Sequence, residues 1–308
     1  MIRFVVWRLA WGVPVLWLVA TVTFGLMHLV PGGPFDQEKR LPPEIKANID
    51  AKYHLDQPVL TQYLFYMNDL LHGDLGPSYK YLGRSVNDII RDTFPVSIQL
   101  GLWAVLISVV VGVGAGVIAA ARPRSWTDHA GMFLATAGIS LPSFVLGTFL
   151  IMIFSYRLQL FPAALWEGWR YGVLPAVTLA MLPTAYIARL TRSSLLEVLH
   201  KDFIRTARAK GLAEPRVLLK HALKNSITPV VSFLGPLTAT LVTGSFVVEF
   251  IFSVPGMGRY FITAVTNRDY PLIMGVTLVY AVLIVVANIV VDLVYTWIDP
   301  RMRIKGDL

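Results

Sequence analysis

The sequence predicts an all-α integral membrane protein with six transmembrane helices. Of its 308 residues 55% are hydrophobic and only 15% are charged, whereas soluble proteins average about 25% charged. The short alternating pattern that predicts a transmembrane β-barrel is absent from the sequence. Because lipid cannot satisfy bare peptide groups, the apolar runs are predicted to be helices.

Six apolar runs match the length needed to cross a bilayer, although the fourth needs its flanks. A helix of 22 residues spans about 33 Å, against a hydrocarbon core of about 30 Å. The predicted spans are Leu9–Val30, Val96–Ala121, Ala130–Tyr156, Val173–Ala188, Ile227–Val248 and Leu272–Trp297. The first run is too long for a signal peptide and is followed by "PGGP" instead of a small-residue cleavage site. We therefore interpret it as a retained span.

The distribution of basic residues predicts the orientation. Of the 27 Lys and Arg, 16 lie on the side that holds both termini, and the other 11 are offset by 12 acids. The positive-inside rule assigns the first side to the cytoplasm. The predicted regions are 1–30 (tail and first span), 31–93 (outer loop), 94–298 (spans two to six, with a loop at 189–226) and 299–308 (cytoplasmic tail).

The outer segment 31–93 is polar and punctuated by prolines. Helical apolar spacing predicts two short surface helices, over Pro43–His54 and Val59–His72. We interpret the segment as an ordered cap over the mouth of a pore. A solvated loop without a specific partner is the alternative.

Catalytic and metal motifs are missing from the sequence. It has no GxxxxGK[ST], HExxH or GxSxG motif, it has no Cys, and its six His lack metal-ligand spacing. The stretch "GVGAG" lies inside an apolar span, so we interpret Gly112 and Gly116 as a small-xxx-small pair that lets two helices approach closely. The sequence therefore predicts neither an enzyme nor a bound metal.

Ion-coupled transport is also disfavoured, because carriers of that type place ionisable side chains within their spans. Spans two to five contain no Lys, Arg, Asp or Glu, and Glu249 is predicted at the outer lip of the fifth. Asp292 lies in the sixth span, where we expect a structural role. An ion-coupled carrier or channel remains an alternative.

The stretch "FIRTARAKGLAEPRVLLKHALKNSITP" (203–229) carries six Lys or Arg against a single acid, Glu214. Apolar spacing predicts one helix running from Leu195 through Phe203 to the end marked by Gly211, and Pro215 predicts the first turn of another. Attraction to anionic lipid explains the charges but not an exposed Phe203 beside small residues such as Ala207. A helix shaped to enter a groove on another protein explains both. Nucleic acid is a poor third choice, since no aromatic residues alternate with the basic ones.

Within this stretch, "RTARAKG" followed by "HALKN" resembles the cytoplasmic signature loop of bacterial ABC importer permeases, EAA-x3-G-x9-I-x-L-P. Gly211 holds the glycine position, and Ala207 holds the second alanine. Arg205 and Thr206 replace the glutamate and the first alanine, while Leu223 matches the leucine. The segments "LPPEIKANIDAKYHLDQPVLTQY", "HGDLGPS", "TRSSLLEVL" and "PGMGRYFITAVTNRDYP" extend the resemblance over essentially the whole chain. The family that the chain resembles is the dipeptide and oligopeptide family of ABC permeases, and the resemblance is strongest to their B-type membrane subunits.

The resemblance implies the type I ABC importer permease fold and oligopeptide import across the bacterial inner membrane. It implies four partners: a homologous permease subunit, two ATP-binding subunits that hold ATP and Mg, and a periplasmic peptide-binding protein. This chain itself would bind no cofactor. Dipeptides, nickel chelates, glutathione and opines are alternative substrates.

Two groups of residues follow as candidate functional sites. The ATPase-coupling loop would comprise Phe203, Arg205, Thr206, Ala207, Arg208, Lys210, Gly211 and Leu223. The translocation path would draw on the polar residues of the spans, namely Ser140, Ser143, Ser232, Thr238, Thr240, Thr243 and Asn288. Helix–helix hydrogen bonds are the alternative role for the second group.

Overall fold

A computed structural model describes residues 2–31, 35, 55–242 and 244–298. The described helices are α1 (Ile2–Leu29), α2 (Val59–Leu71), α3 (Val86–Ala121), α4 (Trp126–Ser140), α5 (Ser143–Arg157), α6 (Trp169–Leu199), α7 (Asp202–Ala209), α8 (Glu214–Ser226), α9 (Thr228–Val242), α10 (Phe246–Ile251), α11 (Met257–Asn267) and α12 (Tyr270–Ile298). Four of them, α1, α3, α6 and α12, are long and apolar enough to cross a membrane. The bent pairs α4–α5 and α8–α9 raise the number to six if each pair is one span. The all-α prediction is therefore confirmed for the described residues, and four to six candidate spans agree with the six predicted.

Two of the six candidate spans are bent pairs of helices. The helices α4 and α5 meet at an angle of 111°, and α8 and α9 meet at 57°. Pro142 precedes the first residue of α5 and Pro229 is the second residue of α9, and proline supplies no backbone N–H to a preceding turn. The prediction of one continuous helix over 130–156 was thus wrong. The predicted boundary at Pro229 is confirmed.

Backbone contacts divide the chain into unit 1 (Met1–Val96 and Gly256–Val285) and unit 2 (Ser97–Pro255 and Val286–Leu308). Unit 1 has a core rich in aromatic side chains, in which Phe24 of α1 stacks on Tyr66 of α2 with ring centroids 5.7 Å apart. The hydroxyls of Thr21 and Tyr63 are 2.8 Å apart, which adds a polar contact between the same two helices. Burial raises the pKa of Tyr66 to about 12.

The predicted helix over Val59–His72 is confirmed, with α2 ending at Leu71. Its aromatic face is packed against α1, so it is more than a solvated surface helix. The other predicted helix, Pro43–His54, lies outside the described residues.

Two sequence segments far apart in the chain meet in unit 1. Asp269 is fully buried and accepts hydrogen bonds from the Ser78 hydroxyl and from the Tyr79 N–H, the latter at 3.1 Å. Ser78 belongs to "HGDLGPS", and Asp269 belongs to "NRDYP". One buried carboxylate therefore fixes the loop before α3 to the turn between α11 and α12.

Unit 2 is built around α6. A Cβ added at Gly112 of α3 would lie 2.8 Å from the Cβ of Ile187, and one added at Gly116 would lie 2.5 Å from the Cβ of Thr191. The Ser108 hydroxyl also donates to the Ala180 carbonyl at 3.2 Å, from α3 to α6. The interpretation of the glycine pair as a close helix contact is confirmed.

Glu249 lies on a short helix that follows the fifth candidate span. The fifth predicted span ends before it, at Val242 of α9, and Glu249 follows on the short helix α10 with no exposed surface. A Cβ at Gly244 would lie 2.5 Å from the Glu249 Oε1 atom, and Gly244 has a φ of +91°. A glycine turn therefore folds this carboxylate inward. Its position at the outer lip of the fifth span stays a prediction.

Candidate functional site

The basic loop forms a short helix that ends in a glycine turn, as predicted. Helix α7 begins with Asp202, whose charge suits the positive end of the helix dipole. Gly211 follows with a φ of +74°, and its N–H donates to the Arg208 carbonyl at 2.9 Å. The Leu212 N–H reaches the Ala207 carbonyl at 3.4 Å. These bonds satisfy carbonyl groups that a helix end leaves open, and glycine adopts the left-handed conformation without steric strain.

The predicted continuous helix from Leu195 through this stretch was wrong. Helix α6 ends at Leu199, and Lys201 has an extended conformation with φ −76° and ψ 151°. The break turns α7 so that Ile204 packs back towards Leu195. Burial of apolar surface across the break therefore outweighs the local helical preference.

Helix α7 has one buried face and one exposed face. Ile204 has no exposed surface and Ala207 is 7% exposed, within a cluster that includes Leu195, Val217 and Ala222. On the other face the Phe203 side chain is 43% exposed. The remaining coupling-loop residues on the helix and its turn are also exposed: Arg205, Thr206, Arg208, Lys210 and Gly211.

The buried face changes the interpretation of Ala207. The sequence suggested a small residue facing a groove on a partner, but the structure packs it inside the chain. Leu223 lies on α8 and is half-buried. What α7 presents outward is one aromatic ring among basic side chains.

Ion pairs offset part of the positive charge. Arg208 binds Glu214 through two nitrogens, with Nη2–Oε1 at 2.5 Å and Nε–Oε2 at 3.2 Å. This hydrogen bonding raises the pKa of the Arg208 guanidinium. The pair closes the glycine turn by joining α7 to α8. Weaker pairs join Arg205 to Asp202 at 3.7 Å and Lys201 to Glu197 at 3.6 Å.

The sequence analysis did not identify an ion pair at the ends of α4 and α6. The Arg192 Nε donates to Asp128 Oδ1 at 2.6 Å, and its Nη2 donates to Oδ2 at 2.7 Å. The Arg124 N–H adds a bond to Oδ2 at 2.9 Å, and the Asp128 side chain is only 4% exposed. The sequence "SWTD" does carry a signal, because Ser125 caps α4 by accepting from the Asp128 N–H. Nothing local indicates the partner 64 residues away.

Among the described residues predicted for the translocation path, two line a common cavity. Ser140 and Ser143 flank the bend at Pro142 and line one cavity of about 320 Å³, which Thr178 of α6 also lines. Ser232, Thr238 and Thr240 lie on α9, and Asn288 is exposed on α12. Thr243 lies outside the described residues.

Three hydroxyls of this set bond to carbonyl groups of their own helices. Ser140 donates to the Thr136 carbonyl at 2.9 Å, and Thr238 donates to the Leu234 carbonyl at 2.7 Å. Thr240 donates to the Pro236 carbonyl at 3.0 Å. Such bonds do not require a neighbouring helix, so these hydroxyls remain candidates for the path.

Among the described residues, no group of three or more His, Asp or Glu is arranged to hold a metal ion. A charged helix and its glycine turn lie between two apolar candidate spans. Residues 112–304 match the family described as "Binding-protein-dependent transport system inner membrane component", and residues 1–101 match its N-terminal companion. The chain belongs to this family.

Similar proteins cover nearly the whole chain. It is 48% identical over 93% of both chains to the dipeptide transport system permease protein DppB of Bacillus subtilis. It is 45% identical to the oligopeptide transport system permease protein OppB of Escherichia coli, over 98% of this chain and all of that one. The protein is therefore a multi-pass membrane permease subunit of an ABC importer and not an enzyme, and the family resemblance noted in the sequence is confirmed.

Solved structures agree on the fold. The MetNI methionine ABC transporter in an inward-facing conformation matches 68% of this chain and 96% of its own, with a TM-score of 0.56 and 16% identity. An amino acid ABC transporter crystallised with histidines matches 67% of this chain and 92% of its own, with a TM-score of 0.52. The chain has the type I ABC importer permease fold.

Proposed function

We propose that this permease subunit translocates oligopeptides across the bacterial inner membrane in an ATP-driven importer. The observation that carries this proposal is the high identity along the whole chain to permeases named for dipeptide and oligopeptide transport. Dipeptides are the second candidate substrate, favoured by the 48% identity to the Bacillus subtilis relative. Nickel chelates, glutathione and opines rank below both peptide classes.

In the proposed assembly the chain pairs with a homologous permease subunit. Two ATP-binding subunits lie on the cytoplasmic side, and a peptide-binding protein docks on the periplasmic side. ATP and Mg are held by the partners, and this chain binds no cofactor. Both termini are cytoplasmic. The Asp128–Arg192 pair supports this topology, because it holds the 122–125 turn beside the end of α6, as the positive-inside assignment of both loops requires.

The exposed face of α7 is the proposed contact with an ATPase. Phe203 offers an apolar anchor, while Arg205 and Lys210 offer charge around it. An aromatic anchor with a polar rim is the usual composition of a binding hot spot. The buried face, with Ile204 packed under it, would transmit motion of the ATPases to α6 and α8. The spans would then alternate between inward-facing and outward-facing arrangements.

The path for the peptide is proposed to include the cavity at the α4–α5 bend. Ser140 and Ser143 supply hydroxyls there, and a break in a spanning helix is tolerated where the backbone lines a cavity. The other candidates for the path are Ser232, Thr238, Thr240, Thr243 and Asn288.

Reconstitution tests the substrate. The complete four-component importer in vesicles should accumulate labelled oligopeptide only with ATP and the binding protein. Unlabelled dipeptide should compete less well than oligopeptide if the binding protein favours longer chains. Accumulation without ATP, or no peptide uptake at all, would refute the proposal.

Exposed aromatic side chains give a matched test of the ATPase contact. Phe203→Ala should weaken co-purification of the ATPase subunits at least tenfold, since hot-spot truncations cost about 2 kcal/mol or more. Phe133→Ala removes another exposed ring, from α4, and should leave co-purification unchanged. Equal effects of the two substitutions would remove α7 from the interface.

The glycine turn provides a second test of coupling. A Cβ at Gly211 would meet no atom within 4 Å, so Gly211→Val acts only through the backbone. Asparagine tolerates the left-handed conformation better than a β-branched residue. We expect Gly211→Val to lower peptide transported per ATP hydrolysed while Gly211→Asn stays near wild type. Normal transport by the valine variant would rule out a fixed α7 as the lever.

A further inference from the structure

The end of α6 contacts three other parts of unit 2 within little more than one helical turn. Thr191 lies against Gly116 of α3, where an added Cβ would come within 2.5 Å. The next residue, Arg192, pairs with Asp128 at the start of α4. One turn further on, Leu195 is fully buried in the cluster beneath α7. Helices α3, α4 and α7 therefore all meet the same short stretch of α6.

The Asp128–Arg192 pair is the polar member of these three contacts. Both carboxylate oxygens and two guanidinium nitrogens take part, at 2.6 and 2.7 Å. A buried ion pair is seldom more stabilising than apolar residues of similar size, so stability alone does not explain it. What a two-pronged arginine–carboxylate contact adds is a fixed orientation, which a lysine cannot reproduce.

We infer that Asp128 and Arg192 are positioning residues that make the start of α4 move together with the ATPase-coupling helix α7. This inference rests on the proposed function of α7. A displacement of α7 reaches α6 through Ile204 and Leu195. The ion pair then carries it from α6 to α4, whose far end forms the bend and the cavity at Ser140.

Conservative variants of the complete importer test the inference. Arg192→Lys keeps the charge but loses the two-pronged contact. We expect unchanged assembly, ATP hydrolysis within twofold of wild type, and peptide transported per ATP lowered at least about threefold. Asp128→Asn should show the same defect, and the double variant should be little worse than either single variant.

A matched control lies one turn away on the same helix. Arg189 is exposed and donates to the Thr136 hydroxyl at 2.8 Å, so Arg189→Lys makes the same exchange outside the buried pair. It should leave transport per ATP unchanged. If Arg192→Lys and Arg189→Lys behave alike, the inference is wrong.

A second measurement needs no peptide. The chain contains no cysteine, so spin labels can be placed at two exposed positions, Trp126 at the start of α4 and Asp202 at the start of α7, in an importer whose partners lack cysteine. Pulsed EPR should give one distance that is the same with and without ATP, and a broader or shifted distribution in Arg192→Lys. A nucleotide-dependent distance in the parent protein, or an unchanged distribution in the variant, would overturn the inference. Because this readout does not depend on transport, absence of peptide uptake would refute only the proposed substrate.

Discussion

Each unit of the protein buries an aspartate, but the two carboxylates have different partners. In unit 1, Asp269 accepts from neutral groups, the Ser78 hydroxyl and the Tyr79 N–H. In unit 2, Asp128 is held by the charged guanidinium of Arg192. The neutral donors hold the loop at Ser78 without adding a second buried charge. The ion pair joins α4 to α6, and each of its charges needs the other as a partner.

The difference in partners predicts which aspartate the protein can lose at the smaller cost in stability. Removing Asp269 would leave neutral donors, among them the Ser78 hydroxyl and the Tyr79 N–H, without an acceptor, and it would also remove a costly buried charge. Removing Asp128 would leave Arg192 with an uncompensated charge beside apolar helices. We therefore expect removal of Asp128 in unit 2 to lower the free energy of unfolding more than removal of Asp269 in unit 1.

The largest expected effect is that of Asp128→Ala. Breaking a buried pair costs about 3–5 kcal/mol, and the lower figure applies because the Arg192 side chain retains 28% of its surface. Thermal unfolding in detergent measures the loss. Asp92→Ala, which breaks an exposed pair with Arg84, is the control and should cost less than about 1 kcal/mol. Equal losses would show that burial of Asp128 does not matter.

Asp269→Ala should have the next largest effect. About 1–3 kcal/mol is expected for leaving the buried Ser78 hydroxyl and Tyr79 N–H without their acceptor. Proteolysis of the loop around Ser78 should also become faster, because the carboxylate no longer holds it. A loss larger than that of Asp128→Ala would reverse the comparison between the units.

Gly116→Ala tests a contact in unit 2 that involves no charge. The added Cβ would lie 2.5 Å from the Thr191 Cβ and 2.7 Å from the Ala188 oxygen, so overpacking should cost about 1–3 kcal/mol. A Cβ at Gly114, two residues away, meets nothing within 4 Å. Gly114→Ala should therefore leave the unfolding temperature unchanged or raise it. Destabilisation by both variants would point to helix flexibility instead of close packing.

The smallest effect is expected at the exposed pair of unit 2. Glu214→Gln removes the carboxylate that binds Arg208, and exposed pairs contribute about 0–1 kcal/mol. The loss should shrink further at high salt, since screening weakens surface charges. A loss above 2 kcal/mol that persists in salt would show that the glycine turn depends on this pair for its fold.

Features that depend on neighbouring residues in the chain could be predicted well. The turn at Gly211 and the start of a helix at Pro215 follow from backbone preferences. The Gly112–Gly116 pair predicted a close helix contact, because small residues at that spacing share one face of a helix. In each case the cause lies within a few residues of the effect.

Other features were not predicted, because apolar periodicity does not show how a segment packs against its neighbours. Periodicity suggested a helix continuing past Leu199, but packing of Ile204 against Leu195 favours a break. The bend at Pro142 fell inside a run apolar enough to be interpreted as one span. The burial of Glu249 beside Gly244 was likewise not predicted.

The sequence by itself determined that this protein lies in a membrane, and it located the six apolar runs and the basic loop. Hydrophobicity, charge and backbone preference are properties of local segments, so no tertiary contact is needed to detect them. Only the tertiary structure decided which face of α7 is available to a partner and that Asp128 meets Arg192. Those outcomes depend on which side chains share the limited space around α6. A buried group must find its partner there, however distant in the chain, since water cannot replace it.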